Sequence, residues 1–187
     1  MLRVPIMLVS IVFGVLVATA DIARADQNDP RLEALFQELR VVTGYLKART
    51  LEQQIWSIWT ASGNPEVNRL MDDGVTAMAT QDYKTALADF TKVIEAAPDF
   101  AEGWNKRATV LYLVGDYEGS LADVDQTLAL EPRHFGALAG LGHIYAALER
   151  DDEALAAYEK ALAVNPHMPG IIASIEQLKQ RLKDKEI

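Results

Sequence analysis

The feature that most constrains this chain is an internal period of 34 residues. Pro98, Pro132 and Pro166 stand 34 apart, and the same offset joins Leu70, Trp104 and Leu138, then Gly74, Ala108 and Gly142, then Ala77, Leu111 and Tyr145. It continues through Ala86, Ser120 and Ala154, Phe90, Val124 and Tyr158, Val93, Thr127 and Ala161, and Ile94, Leu128 and Leu162. A unit of this length cannot bury its own apolar face, so copies must stack on one another to make a continuous core.

Each copy carries two stretches of helical periodicity around a polar turn. In the second copy these are Trp104, Ala108, Leu111 and Tyr112, then Gly115-Asp116, then Tyr117, Leu121, Val124 and Leu128. Apolar residues three and four apart share one helix face, so each copy reads as a helical hairpin. The small columns let two helices approach closely, and the large columns, Trp104 among them, fill the core beside them. Proline ends the second helix because it lacks an N–H and disfavours helical backbone in the residue before it.

The 34-residue period, the small and aromatic columns and the terminal proline resemble the tetratricopeptide repeat (TPR). The resemblance covers residues 67–168, and the third copy is nearest the family pattern with Gly142, Tyr145, Ala154, Tyr158, Ala161 and Pro166. The first departs from it at Asp73 and Ala77, which predicts looser packing there. The implied fold is all-α: a right-handed superhelix of helical hairpins, with a concave groove lined by the first helix of each repeat. Longer stretches, among them Glu52-Gln53-Gln54-Ile55-Trp56-Ser57-Ile58-Trp59 and Glu131-Pro132-Arg133-His134-Phe135, resemble small secreted TPR proteins of alphaproteobacteria, which implies a role in the cell envelope.

The flanks complete the organisation. Residues 1–25 read as a secretory signal, with Arg3, an apolar run from Val4 to Ala20 and the small residues of Ala23-Arg24-Ala25 before Asp26. The alternative is a retained inner-membrane anchor facing the periplasm. Residues 26–64 predict a helical pair, opened by Asp29-Pro30 and carrying Leu51, Ile55, Ile58 and Trp59 on one side of its second helix. Three repeats fill 65–168, as 67–100, 101–134 and 135–168. Residues 169–187 predict a capping helix with a basic tail at Lys179, Arg181, Lys183 and Lys185.

Charge and motif content narrow the function. The net charge of −9 and the lack of a basic stripe within the repeats argue against nucleic acid as a partner. There is no Cys, so packing must hold the fold in an oxidising compartment. No metalloprotease, phosphate-loop, nucleophile-elbow or dinucleotide pattern occurs, which predicts neither catalysis, nor cofactor, nor metal. His134, His143 and His167 form no ligand cluster in sequence, and the carboxylate pairs Asp72-Asp73, Asp123 with Asp125, and Asp151-Asp152 read as solvated helix faces.

What the resemblance implies is a binding groove. Its candidates are Asn68, Met71, Val75 and Met78 of the first repeat, Asn105, Thr109 and Tyr112 of the second, and His143 of the third. The family's carboxylate-clamp set of Lys, Arg and Asn is not reproduced, because Met71, Val75, Gly136 and Gly140 hold most of its sites and only Lys106 fits. Trp56 and Trp59, three apart on one helix side, are either core against the first repeat or a second platform for a partner. The reading is a periplasmic scaffold for a protein or peptide partner, with no stable membrane insertion once the signal is removed. An accessory or carbohydrate-binding protein working with peptidoglycan enzymes is the alternative, for which groove aromatics would be the signature.

Overall fold

The computed structural model describes residues 26–185; the signal or anchor expected at 1–25 lies outside the described residues. Those residues form nine α-helices and no strand: α1 (Arg31–Val41), α2 (Tyr45–Trp59), α3 (Pro65–Ala79), α4 (Tyr83–Ala96), α5 (Ala101–Leu113), α6 (Tyr117–Leu130), α7 (Phe135–Ala147), α8 (Asp151–Val164) and α9 (Pro169–Lys185). Helices α3 to α8 make three antiparallel hairpins stacked side by side, and α9 closes the last of them.

Local chemistry explains the boundaries. Asn64 accepts the backbone N–H groups of Glu66 and Val67 in front of Pro65, so α3 starts with a side-chain cap and a proline that needs no partner. Asp82 and Asp116 cap α4 and α6 through the N–H groups of Thr85 and Gly119. The turn inside each hairpin places one residue in the left-handed region: Gln81 at φ 62°, Gly115 at 83° and Glu149 at 58°, again 34 apart. Only the middle copy supplies the glycine this conformation favours.

The small columns have a sharper role than close helix approach alone. A Cβ on Gly142 would stand 2.3 Å from the Tyr158 ring, and one on Gly74 would stand 2.6 Å from Phe90. Each glycine is thus a socket for the aromatic ring of its partner helix. In the middle repeat, Ala108 and Val124 share the same buried cluster, and Ser120 Oγ donates to the Ala108 carbonyl at 2.8 Å.

Two expectations are corrected. Trp104 is only half-buried although its column mates Leu70 and Leu138 are core. An indole is larger than leucine and carries a donor, and here Nε1 donates to the Pro98 carbonyl at 2.9 Å while Arg107 lies 5.1 Å over the ring. Asp123 and Asp151 are not solvated carboxylates either: Asp151 is buried and pairs with Arg181 of α9. Asp123 is buried and takes a two-pronged ion pair from Arg107 at 2.7 and 2.8 Å, tying α6 to α5.

The N-terminal pair does not extend the stack. It lies across the loops that follow the three hairpins, touching each in turn. Gln27 bridges the Asp99 carbonyl and the Ala101 N–H, Arg133 pairs with Glu33 and lies 4.6 Å over Phe36, and His167 Nε2 meets the Leu39 carbonyl at 3.0 Å. The core of the pair, Leu32, Phe36, Leu39, Leu51, Ile55 and Trp59, closes on Phe135, Val164 and Met168.

Candidate functional site

The concave side is built by the first helices of the second and third hairpins. Between α5 and α7 runs an apolar cleft of about 330 Å³, lined by Asn105, Ala108, Thr109, Tyr112 and Leu113 on one wall and Gly136, Ala139, Gly140, His143 and Ile144 on the other. A Cβ on Gly140 would meet nothing within 4 Å. The floor there is bare backbone, open to an incoming side chain. A second cleft of about 570 Å³ adjoins it across Gly136 and His143, bounded by Tyr45, Arg49, Glu52 and Trp56 of α2 and by His167 to Ser174 at the start of α9.

His143 stands where these clefts meet. Its Nδ1 is 2.7 Å from the Tyr158 hydroxyl, and partial burial holds the imidazole below its ordinary pKa. Burial likewise pushes the Tyr158 phenol up, so the phenol is protonated near neutrality and can donate to Nδ1. Nε2 then carries the proton and is available to a ligand as a donor. The Tyr112 ring lies 6.5 Å from that of His143 and 5.7 Å from that of Tyr117.

Beneath the junction lies a buried polar cluster that the sequence did not reveal. His134 caps α7 by accepting the Ala137 N–H at Nδ1, 3.1 Å, which places its proton on Nε2. That proton goes to Glu102 Oε2 at 3.0 Å, and Asn105 donates to the same oxygen at 2.9 Å. Lys106 Nζ lies 3.0 Å from Oε1 as an ion pair, outside hydrogen-bond geometry. Burial raises the Glu102 pKa, but the His134 and Lys106 contacts outweigh it and hold the carboxyl below its ordinary value. The group is a buried charged carboxylate with the Nε2–H of the imidazole against it.

The tryptophans cover this cluster. Trp59 stacks on His134 at 4.2 Å with the planes 8° apart, and Trp56 meets Trp59, His134 and Phe135 edge-on at 5.3 to 5.5 Å. Lys106 lies 5.7 Å over the Trp56 ring. The pair therefore packs on the start of the third repeat, not on the first repeat as core packing in sequence order would have it. Trp59 is buried, whereas Trp56 is half-buried and walls the second cleft.

The candidate residues separate by repeat. Thr109, Tyr112, Asn105 and His143 come together in the first cleft, although Asn105 is buried and its amide is committed to Glu102. The four from the first repeat do not line it. Met71 is core, Met78 packs against that core, Asn68 accepts from the Ser62 N–H and hydroxyl, and Val75 alone is exposed. The reason is a contact geometry in which α5 and α7 face one another across the groove while α3 buries its Met71 side against α4 and α5. Among the described residues no three His, Cys, Asp or Glu stand close enough to hold a metal ion. The signal for the missed cluster is a spacing: Glu102 and His134 are both polar residues at the starts of consecutive first helices, about one repeat apart, and stacking makes such positions neighbours.

Comparisons with known proteins agree with this architecture. Residues 72–122 and 136–168 match tetratricopeptide-repeat models. A TPR repeat-containing protein of Rhizobium etli is 35% identical over 136 residues, which is 73% of this chain and 67% of that protein. The small glutamine-rich tetratricopeptide repeat-containing protein 2 of Mycosarcoma maydis is 30% identical over 60% of this chain, and the match spans only 33% of its own length. Among solved structures, the Sgt2 TPR domain from Aspergillus fumigatus superposes with a TM-score of 0.63 at 23% identity, covering 66% of this chain and 83% of that one. The first TPR of Spaghetti (RPAP3) bound to HSP90 peptide SRMEEVD gives 0.61 at 21%, covering 63% and 93%; at such identities the likeness is one of fold. By the repeat columns, the stacked hairpins and these relatives, the chain belongs to the tetratricopeptide-repeat family.

Proposed function

We propose that this chain is a non-enzymatic scaffold of the bacterial periplasm that holds a segment of a partner protein in the cleft between α5 and α7, in the service of an envelope assembly. The observation that carries the reading is the bare floor at Gly140 between Tyr112 and His143, which offers an apolar slot with donors at its rim. Peptide recognition has this shape, with few placed polar groups around an apolar pocket. The Hsp70-Hsp90 organizing protein of Triticum aestivum, 29% identical over 57% of this chain, and the peptide-bound RPAP3 domain support an interaction role. The site here lacks the Lys and Arg set that would receive an acidic C-terminus, so the favoured partner segment is uncharged where it enters the slot. The periplasmic address rests on Arg3, the apolar run and Ala23-Arg24-Ala25.

The test fills the slot. Peptides selected from a random library on the wild-type chain should lose at least roughly tenfold in affinity for Gly140→Leu, a loss of about 1.4 kcal/mol, and for Tyr112→Ala with His143→Ala. The helical spectrum should stay unchanged, since position 140 has room for a side chain. Equal affinity of all three proteins would refute the site. Chain recovered from a periplasmic extract should begin at Asp26; an N-terminus that retains residues 4–20 would refute cleavage.

A further inference from the structure

We propose that the tip of the α1–α2 hairpin is a docking surface for an anionic lipid bilayer. The three most exposed large apolar side chains of the described residues are all found there: Val41 at 75%, Tyr45 at 66% and Leu46 at 79%, against 47% or less for the rest. Isolated exposed apolar residues are ordinary on a protein surface, but a cluster at one protruding turn marks an interaction site.

Charge identifies the occupant. The chain as a whole carries −9, yet residues 39–51 contain Arg40, Lys47 and Arg49 and no acid. The flanking Glu38 pairs with Lys47 and Glu52 lies 3.8 Å from Arg49, so with both acids counted the tip carries a net charge of +1. Lys47 stands in the first turn of α2, where the helix dipole disfavours cations, and that turn has neither an acidic residue nor a side-chain cap. Lys47 and Arg49 are both exposed and their ion pairs add little to stability, so these side chains can turn to an external negative surface. Basic side chains around an inserted aromatic and aliphatic trio are the composition of an interfacial anchor.

Size separates lipid from protein. A stable protein interface needs about 800 Å² from each partner, which a six-residue tip cannot supply alone. A bilayer accepts single inserted side chains because its interior imposes no shape. A second copy of the chain would bring two positive tips together. The orientation also fits: the tip begins just past Leu39, whose carbonyl is held by His167 in the loop after the last hairpin. The acids of the opposite edge, Asp82, Asp116, Asp151 and Asp152, lie a helix length away, about 20 Å for 13 or 14 residues.

The chain has no cysteine, so one engineered thiol gives one dye position. Full chain carrying Leu46→Cys with an environment-sensitive dye should show a blue shift on phosphatidylglycerol-containing vesicles and none on pure phosphatidylcholine. A dye at Glu118→Cys, on the opposite edge, should not respond. Adding Arg40→Gln, Lys47→Gln and Arg49→Gln should weaken the response about a hundredfold, since each basic residue near an anionic surface is worth roughly fivefold. This local readout separates tip insertion from any attachment through residues 1–25. The proposal is overturned by an unchanged dye at 46, by a response on neutral vesicles or in the triple variant equal to that on anionic ones, or by a shift that appears only with added protein or rising chain concentration.

Discussion

The repeat array and the N-terminal pair bury apolar helices of similar length by different rules. In the array each side chain meets a partner within its own hairpin or the next, as Gly142 does with Tyr158 and Arg107 with Asp123. In the pair the decisive contacts span far more of the chain: Gln27 reaches Asp99, Glu33 reaches Arg133, Leu39 reaches His167 and Glu52 reaches Asn165. All of these are polar, and each ends on a loop that follows a hairpin. The difference teaches that the array is defined by apolar columns, whereas the position of the pair is defined by a few polar groups at the hairpin junctions.

The comparison can be broken most forcefully at Trp59. Trp59→Ala removes the buried ring on which His134 stacks, with an expected cost of about 3–5 kcal/mol. Hydrogen exchange should then show α1 and α2 losing protection while α3 and α4 keep theirs; uniform loss across all helices would mean that pair and array fold as one unit. Within the array, Gly142→Leu forces its side chain into the Tyr158 ring and should cost about 3 kcal/mol, at the upper end for overpacking, read as a lower urea midpoint. A midpoint shift no larger than that of the exposed Lys160→Ala would mean that the glycine is no socket.

Glu102 sits where the two regions join, and its effect depends on pH. Its folded pKa lies below the ordinary glutamate value of about 4.3, so its charge contributes stability above that value, and the contribution is lost as pH falls through the folded pKa. Glu102→Gln should cost about 1.5–3 kcal/mol at pH 7, the worth of a hydrogen bond to a charged group, and urea midpoints followed downward from pH 6 should fall less steeply than in the wild type. Parallel curves would remove Glu102 from the acid response. The smallest effect belongs to the hairpin turn: Glu149→Gly relieves a left-handed backbone that Gly115 already accommodates, and should raise stability by about 0.5–1 kcal/mol in the same assay. No gain would mean that the third turn holds its conformation without strain.

Much of this was readable in the residues, and the failures share a cause. The 34-residue columns located the hairpins because small and large types recur where the helices touch. Trp104 escaped its column because periodicity assigns a face and says nothing of indole size or of the Pro98 carbonyl that captures it. Met71 was placed in the groove because its position implied that side, whereas contact with α4 and α5 buries it. Asn105, Tyr112 and His143 converge because α5 and α7 occupy equivalent places in successive hairpins, which the period alone implies.

The sequence by itself determined the all-helical hairpins, their number and their turns, because each rests on interactions between residues three, four or 34 apart. Only the tertiary structure decided where the N-terminal pair lies, that Trp59 stacks on His134, and that Val41, Tyr45 and Leu46 stay uncovered. Those facts depend on contacts between segments with no repeating relation. Nothing in a linear spacing encodes which junction a distant helix will cover.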